Sequence, residues 1–218
     1  MARDALPLAD QLFLAAVDPR SGHLAIDQEI LGVGLTAIFL AQLEYEKYIV
    51  ISSDLIRQAG PRPRPHMTDG GVSIADMVLR QIAEEPTTWD ASVWLRFWAS
   101  DGITDRVAER LVSLGVLQPL TRRGLLNRRP VYRTVKESDQ WWWRSRLRMF
   151  LTEPGRYTPT YMDLLMLGLG DAIGLRSILL ADAPAGAKET LDETRRLPGS
   201  LGLLVRHAHV VAADAALS

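Results

Sequence analysis

The stretch QEILGVGLTAIFLAQLEYEKYIVI, Gln28 to Ile51, constrains the fold more than any other part of the chain. Its first two thirds have helical composition, with apolar residues on most faces and not on one stripe. A helix of that kind is stable only when other elements cover it on nearly every side, so it belongs at the centre of the core. Its end, KYIVI, is rich in β-branched residues and predicts a short strand. The surrounding segments supply the cover. Leu8 to Val17 has Leu8, Leu12, Ala15 and Ala16 at helical spacing. The turn DPRSG, Asp18 to Gly22, separates it from the central helix. Ser73 to Glu84 places Ile74, Met77, Val78 and Ile82 on one face. TTWDASVWLRFWASDG has Asp90 as a cap and Trp94 and Trp98 one turn apart. In ITDRVAERLVSLGVLQPL, Thr104 is the expected cap, Val107, Leu111 and Leu114 form the apolar face, and Gly115 stops the helix. Ser138 to Phe150, Ala187 to Leu197 and the tail LLVRHAHVVAADAALS complete the helical segments, and GPRPRPHMTDGG, Gly60 to Gly71, is expected to exclude regular structure. The expected fold is mainly α: a single compact helical domain over residues 1–218 with one or two small β-hairpins.

Two apolar segments bear on the membrane question. The longest, YMDLLMLGLGDAIGLRSILLA, contains Asp163, Asp171 and Arg176, which are costly at a bilayer centre. It predicts a buried helix or two helices in contact. The N-terminal apolar stretch is short and interrupted by Asp10, so it does not read as a signal peptide. The absence of cysteine excludes disulfides, thiolate metal sites and a cysteine nucleophile, and fits a cytoplasmic setting.

Charge is distributed unevenly. The chain carries a net −1, yet Leu120 to Arg148 holds nine basic residues against Glu137 and Asp139, a net +7 that leaves −8 for the rest. Within it, LTRRGLLNRRPVYRTV has five arginines and no acid. VLQPL and PVYRTV have strand character and flank the arginines, which predicts a hairpin over about residues 117–136 with Leu125 and Leu126 at its tip. A solvated loop has no use for two leucines at its tip. Burying both in lipid would contribute roughly 3–6 kcal/mol. Each arginine near an anionic surface adds about 1 kcal/mol, screened by salt. Arg122, Arg123, Arg128, Arg129 and Arg133 are therefore the candidate lipid-phosphate contacts, with Lys136 and Arg106 nearby, and Leu125 and Leu126 the candidate inserting residues. The order helix, strand, basic loop, strand also fits a winged-helix nucleic-acid regulator. That alternative is disfavoured because Asp105 and Glu109 offset Arg106 and Arg110 on the would-be recognition helix.

No catalytic constellation stands out. His207 and His209 in HAH lie two apart, on different sides of a helix. GLGDAIG, Gly168 to Gly174, lacks the preceding strand of a dinucleotide loop and suits close helix packing better. TDGG at Thr68 has no P-loop lysine, and no serine sits in a nucleophile-elbow context. We expect no metal site, no cofactor and no enzyme. The third alternative is a small-molecule site beneath Trp94, Trp98 and Trp141–Trp143, with Asp27, Asp101 and His23 as its polar groups.

The segments LPLADQLFLAAVDPRSGHL, LGVGLTAIFLAQLE, DRVAERLVSLGVLQ, the basic hairpin, LLMLGLGDAIGL and VRHAHVVAADAAL together resemble the Golgi phosphoprotein 3 family across nearly the whole chain, and the length is similar to that of bacterial members. The resemblance implies a mostly helical, peripheral membrane protein that binds phosphatidylinositol 4-phosphate, with a hydrophobic hairpin entering the bilayer beside the headgroup site; it does not imply an enzyme. Eukaryotic members build the headgroup pocket from a tryptophan and several arginines. Here the matching positions are Asp27, Thr36, Asp101 and Thr104, while a third arginine of the helix before the hairpin is retained as Arg106. The expected partner is thus an anionic phospholipid membrane, with no protein partner indicated.

Overall fold

A computed structural model describes residues 6–60, 67–68, 71–120, 130–136, 149–151, 158–181, 183–184 and 186–217. Helix α1 (Leu8–Ala16) leads through the Asp18–Gly22 turn into α2 (Gln28–Tyr45). The ribbon β1 (Ile49–Ser52) and β2 (Leu55–Gln58) follows, then the shorter ribbon β3 (Met67–Thr68) and β4 (Gly71–Val72). Helices α3 (Ile74–Glu84), α4 (Ala91–Ser100) and α5 (Ile103–Ser113) precede the ribbon of β5 (Leu117–Pro119) and β6 (Tyr132–Thr134). Residues 149–151 are helical, and α6 (Tyr161–Ala172), α7 (Arg176–Leu179), α8 (Ala187–Glu193), a 3-10 turn (Thr194–Arg196) and α9 (Gly199–Ala215) complete the chain. The protein is mainly α, with small antiparallel ribbons.

Helix α2 is the axis of the core. Its residues from Leu31 to Ala41 are all buried, and α1, α3, α4, α5, α6 and α9 all pack on it. That is the physical answer to a helix without a polar face. Its closest crossing uses Gly32: an added Cβ there would lie 2.9 Å from Ala99 Cα and 3.1 Å from Thr104 Oγ1. Several helix N-termini are capped by side chains. Asp27 accepts from Glu29 N, Ser73 from Asp76 N and Asp90 from Val93 N. Thr160 and Asp163 form a reciprocal capping box on α6. The segment Tyr161–Ala181 is two helices, and the two charges near their junction are paired. The buried Asp171 carboxylate accepts from Arg176 Nη1 at 2.8 Å and from Arg195 Nε at 2.6 Å, and Arg176 Nη2 reaches Asp192 at 2.8 Å. One carboxylate so ties α6 to α7 and to the 3-10 turn.

Two local expectations are corrected. The Gly60–Gly71 stretch carries some regular structure, since Met67 pairs with Val72 and Thr68 with Gly71; the prolines all precede Met67 and leave that pairing intact. Thr104 does not cap α5. Gly102, at φ 77°, occupies the cap position and turns the chain out of α4, and Thr104 lies inside the helix with its hydroxyl donating to Gln28 O at 2.8 Å. The positive φ at Gly115 and the strand Ile49–Ser52 fall where the sequence places them.

Candidate functional site

The basic hairpin begins where α5 ends. Gly115 takes φ 66° and releases the chain into β5. The ladder pairs Leu117 with Thr134, Gln118 with Arg133 and Pro119 with Tyr132, and Leu120 N continues it by donating to Val131 O at 2.8 Å. The root is held from both sides. Leu117 and Tyr132 are buried, and the Tyr132 ring meets Phe13 of α1 edge-on at 5.6 Å. Tyr132 N donates to Gly22 O at 2.8 Å. Gly22 has φ 73°, and a Cβ there would come within 2.4 Å of Tyr132 O, so only glycine permits this seat. Burial, with help from Asp105 and Glu109, raises the Tyr132 phenol above its ordinary value of 10.0. Arg133, Val135 and Lys136 are exposed at the root. Arg122, Arg123, Leu125, Leu126, Arg128 and Arg129 lie outside the described residues, as do Trp141–Trp143.

Asp27, Thr36, Asp101 and Thr104, the positions singled out by the resemblance, lie toward the other end of α5 and serve the packing of the helices. Asp27 caps α2. Thr36 is fully buried and donates to Gly32 O at 2.8 Å. Thr104 bonds Gln28 O. Asp101 accepts from Arg106 Nη2 at 2.8 Å. Gln28 Nε2 donates to Asp105 Oδ1 at 2.6 Å. Short polar side chains here satisfy backbone groups where α2, α4 and α5 approach most closely. Arg106 is thereby engaged by an acid of its own surface, and its buried Nε has no hydrogen-bond partner.

A groove of about 460 Å³ opens farther along α5, between it, α2 and α3, lined by Phe39, Met77, Arg106, Glu109 and Arg110 among others. Arg110 bonds the fully buried Asp10 of α1. Burial raises the Asp10 carboxyl above its ordinary 3.8, with Arg110 acting in the opposite sense. The groove does not include Trp94 or Trp98, which are buried in a stack with Trp89 and Phe97, Trp94 lying 4.7 Å from Trp89 and Trp98 5.4 Å from Phe97. His23, Asp27 and Asp101 are likewise absent from its walls. The HAH imidazoles diverge: His207 faces α4, where Ser92 meets it, and His209 is exposed. Among the described residues, no group of three or more His, Asp or Glu could hold a metal ion, and no helix is long and apolar enough to cross a membrane.

These features define a class: a helical protein organised around one buried axial helix, with a firmly rooted basic hairpin following its fifth helix. The sequence profile of the Golgi phosphoprotein 3 (GPP34) family matches residues 8–211. The chain belongs to that family. No curated protein matches it.

Proposed function

We propose that the protein docks on anionic phospholipid membranes through the hairpin over residues 117–136, as a peripheral protein. Leu125 and Leu126 enter the apolar layer, and Arg122, Arg123, Arg128, Arg129 and Arg133 bond lipid phosphates through their planar guanidinium forks. The observation that carries this reading is the separation of charge, +7 within Leu120–Arg148 against −8 elsewhere, centred on a hairpin with two leucines between its arginine pairs. Family membership supports it. Docking of this kind is binding and breaks no covalent bond. One apolar insertion plus several basic contacts gives reversible attachment.

The headgroup preference follows from the other end of α5. With Asp27, Thr36, Asp101 and Thr104 in place of a tryptophan and arginines, phosphatidylinositol 4-phosphate has no advantage over other anionic lipids. Co-sedimentation tests this with neutral vesicles and with vesicles containing phosphatidylglycerol, cardiolipin or phosphatidylinositol 4-phosphate. All three anionic vesicles are expected to bind, less at high salt, and Leu125→Ser with Leu126→Ser is expected to lower binding at least tenfold. Unchanged binding by that variant would sink insertion, and no binding to any vesicle would sink docking.

A further inference from the structure

Three side chains that membrane docking does not use meet where α4, α9 and the β1–β2 turn come together. Ser92 Oγ lies 2.5 Å from His207 Nδ1, and His207 Nε2 lies 3.2 Å from Asp54 Oδ1. The tautomer that satisfies both bonds carries its proton on Nε2: that N–H donates to the Asp54 carboxylate, and the Nδ1 lone pair accepts from the serine hydroxyl. We propose that Ser92 is a nucleophile activated by His207 and oriented by Asp54, and that it takes acyl groups from small esters at this surface.

The backbone is arranged to hold the set together. Ser53 and Asp54 form a two-residue turn between β1 and β2, both at positive φ, 49° and 69°. Asparagine or glycine would meet that conformation more easily; aspartate meets it and also supplies a carboxylate. The turn is fixed to the start of α4, since Ala91 N donates to Asp54 O at 2.8 Å and Ile56 N to Trp89 O at 3.1 Å. Ser92 is the second residue of α4. Its amide belongs to the first turn of α4, whose N–H groups have no partner within the helix, and is assigned to the oxyanion formed on the carbon that Ser92 attacks. The exposed pair Arg96–Asp214, at 2.5 Å, joins α4 and α9 a turn or two farther on. Ser92 and His207 are half-buried, while Val93 beside the serine and Val210 one turn past the histidine are exposed. Exposed apolar side chains on both helices next to the pair are compatible with short acyl groups.

The step balances without a co-reactant other than water. Ser92 Oγ forms a bond to the ester carbonyl carbon while its proton passes to His207 Nδ1. The tetrahedral intermediate collapses, the ester C–O bond breaks, and the same proton leaves with the alcohol. Water then attacks the acyl-serine, gives a proton to Nδ1, and the acid departs as the proton returns to Oγ. A chain of hydrogen bonds that only pins three elements would share the geometry but not the reactivity.

The test is labelling of the full chain with a fluorophosphonate probe, read by peptide mass spectrometry, beside hydrolysis of p-nitrophenyl acetate. The expected result is a label on Ser92, absent in Ser92→Ala, with His207→Gln slowing both reactions about a hundredfold, the low end of the ~10²–10⁴-fold that general bases contribute. Asp54→Asn slows them severalfold, and Asp54→Glu restores part of the rate. Circular dichroism melts of each variant confirm folding. No label on Ser92 in the parent, or labelling of His207→Gln as fast as the parent, overturns the proposal. Should His207→Gln fail to fold, parental rates in Asp54→Asn overturn it equally.

Discussion

At its N-terminal end α5 is ringed by acids. Asp101 and Asp105 flank it, and Asp27 and Glu29 stand exposed at the start of α2 beside it. At its C-terminal end the same helix passes through Gly115 into β5 and the five-arginine stretch. The two ends of one helix thus differ in charge, acidic where α5 begins and basic where the chain leaves it. At the N-terminal end the buried Thr36 and Thr104 serve helix packing, and the acids stay at the exposed surface around them. A short helix can therefore carry opposite charge at its two ends when one end meets other helices and the other leads into a ribbon.

The largest expected effect comes from placing an arginine at the first end. Thr36→Arg places a guanidinium in a fully buried site; the expected loss is about 4 kcal/mol in urea unfolding. A loss under 1 kcal/mol would mean that the site opens readily into a pocket. At the second end, Tyr132→Ala removes the ring that seats the hairpin on Phe13. It should cost about 3 kcal/mol, and vesicle binding measured well below the lowered melting point should weaken with it.

Arg106 sharpens the contrast. Its partner Asp101 is exposed and holds it at 2.8 Å, so Arg106→Ala should change stability by less than about 1 kcal/mol and vesicle affinity less than about threefold. Each hairpin arginine should contribute about fivefold, the equivalent of ~1 kcal/mol. The smallest effect concerns pH. Burial raises the Asp10 carboxyl above 3.8 against the pull of Arg110. The folded chain then holds that proton more tightly than the unfolded one, so the group's contribution to stability is greatest at low pH. It declines as pH rises from 3.8 through the folded value. Asp10→Asn should flatten that part of a stability–pH curve.

Much of the frame was legible in the sequence because it rests on local chemistry. Asp90 and Ser73 cap helices by side-chain bonds to residues three ahead, and Gly115 ends α5 by a backbone conformation that its identity permits. The all-round apolar character of Leu31–Leu43 identified the axial helix. What the sequence concealed depends on distant contacts. Thr104 looks like a cap in isolation, but Gly102 already turns the chain and Gln28 O, 76 positions away, claims its hydroxyl. Ser92 and His207 are separated by 115 positions, so no motif spacing connects them. His207 did carry a faint signal, as the inward member of an HAH pair whose partner faces solvent.

The seat of the hairpin has a mechanical consequence. Tyr132 is bonded to Gly22 through its backbone and braced on Phe13 through its ring, so the root is coupled to α1 and the turn after it. A load applied along β6 would reach α1 and the Asp18–Gly22 turn through these two contacts. Traction on the hairpin should therefore meet a stiff spring that yields abruptly, at the force that extracts Tyr132, and should stretch little before it does.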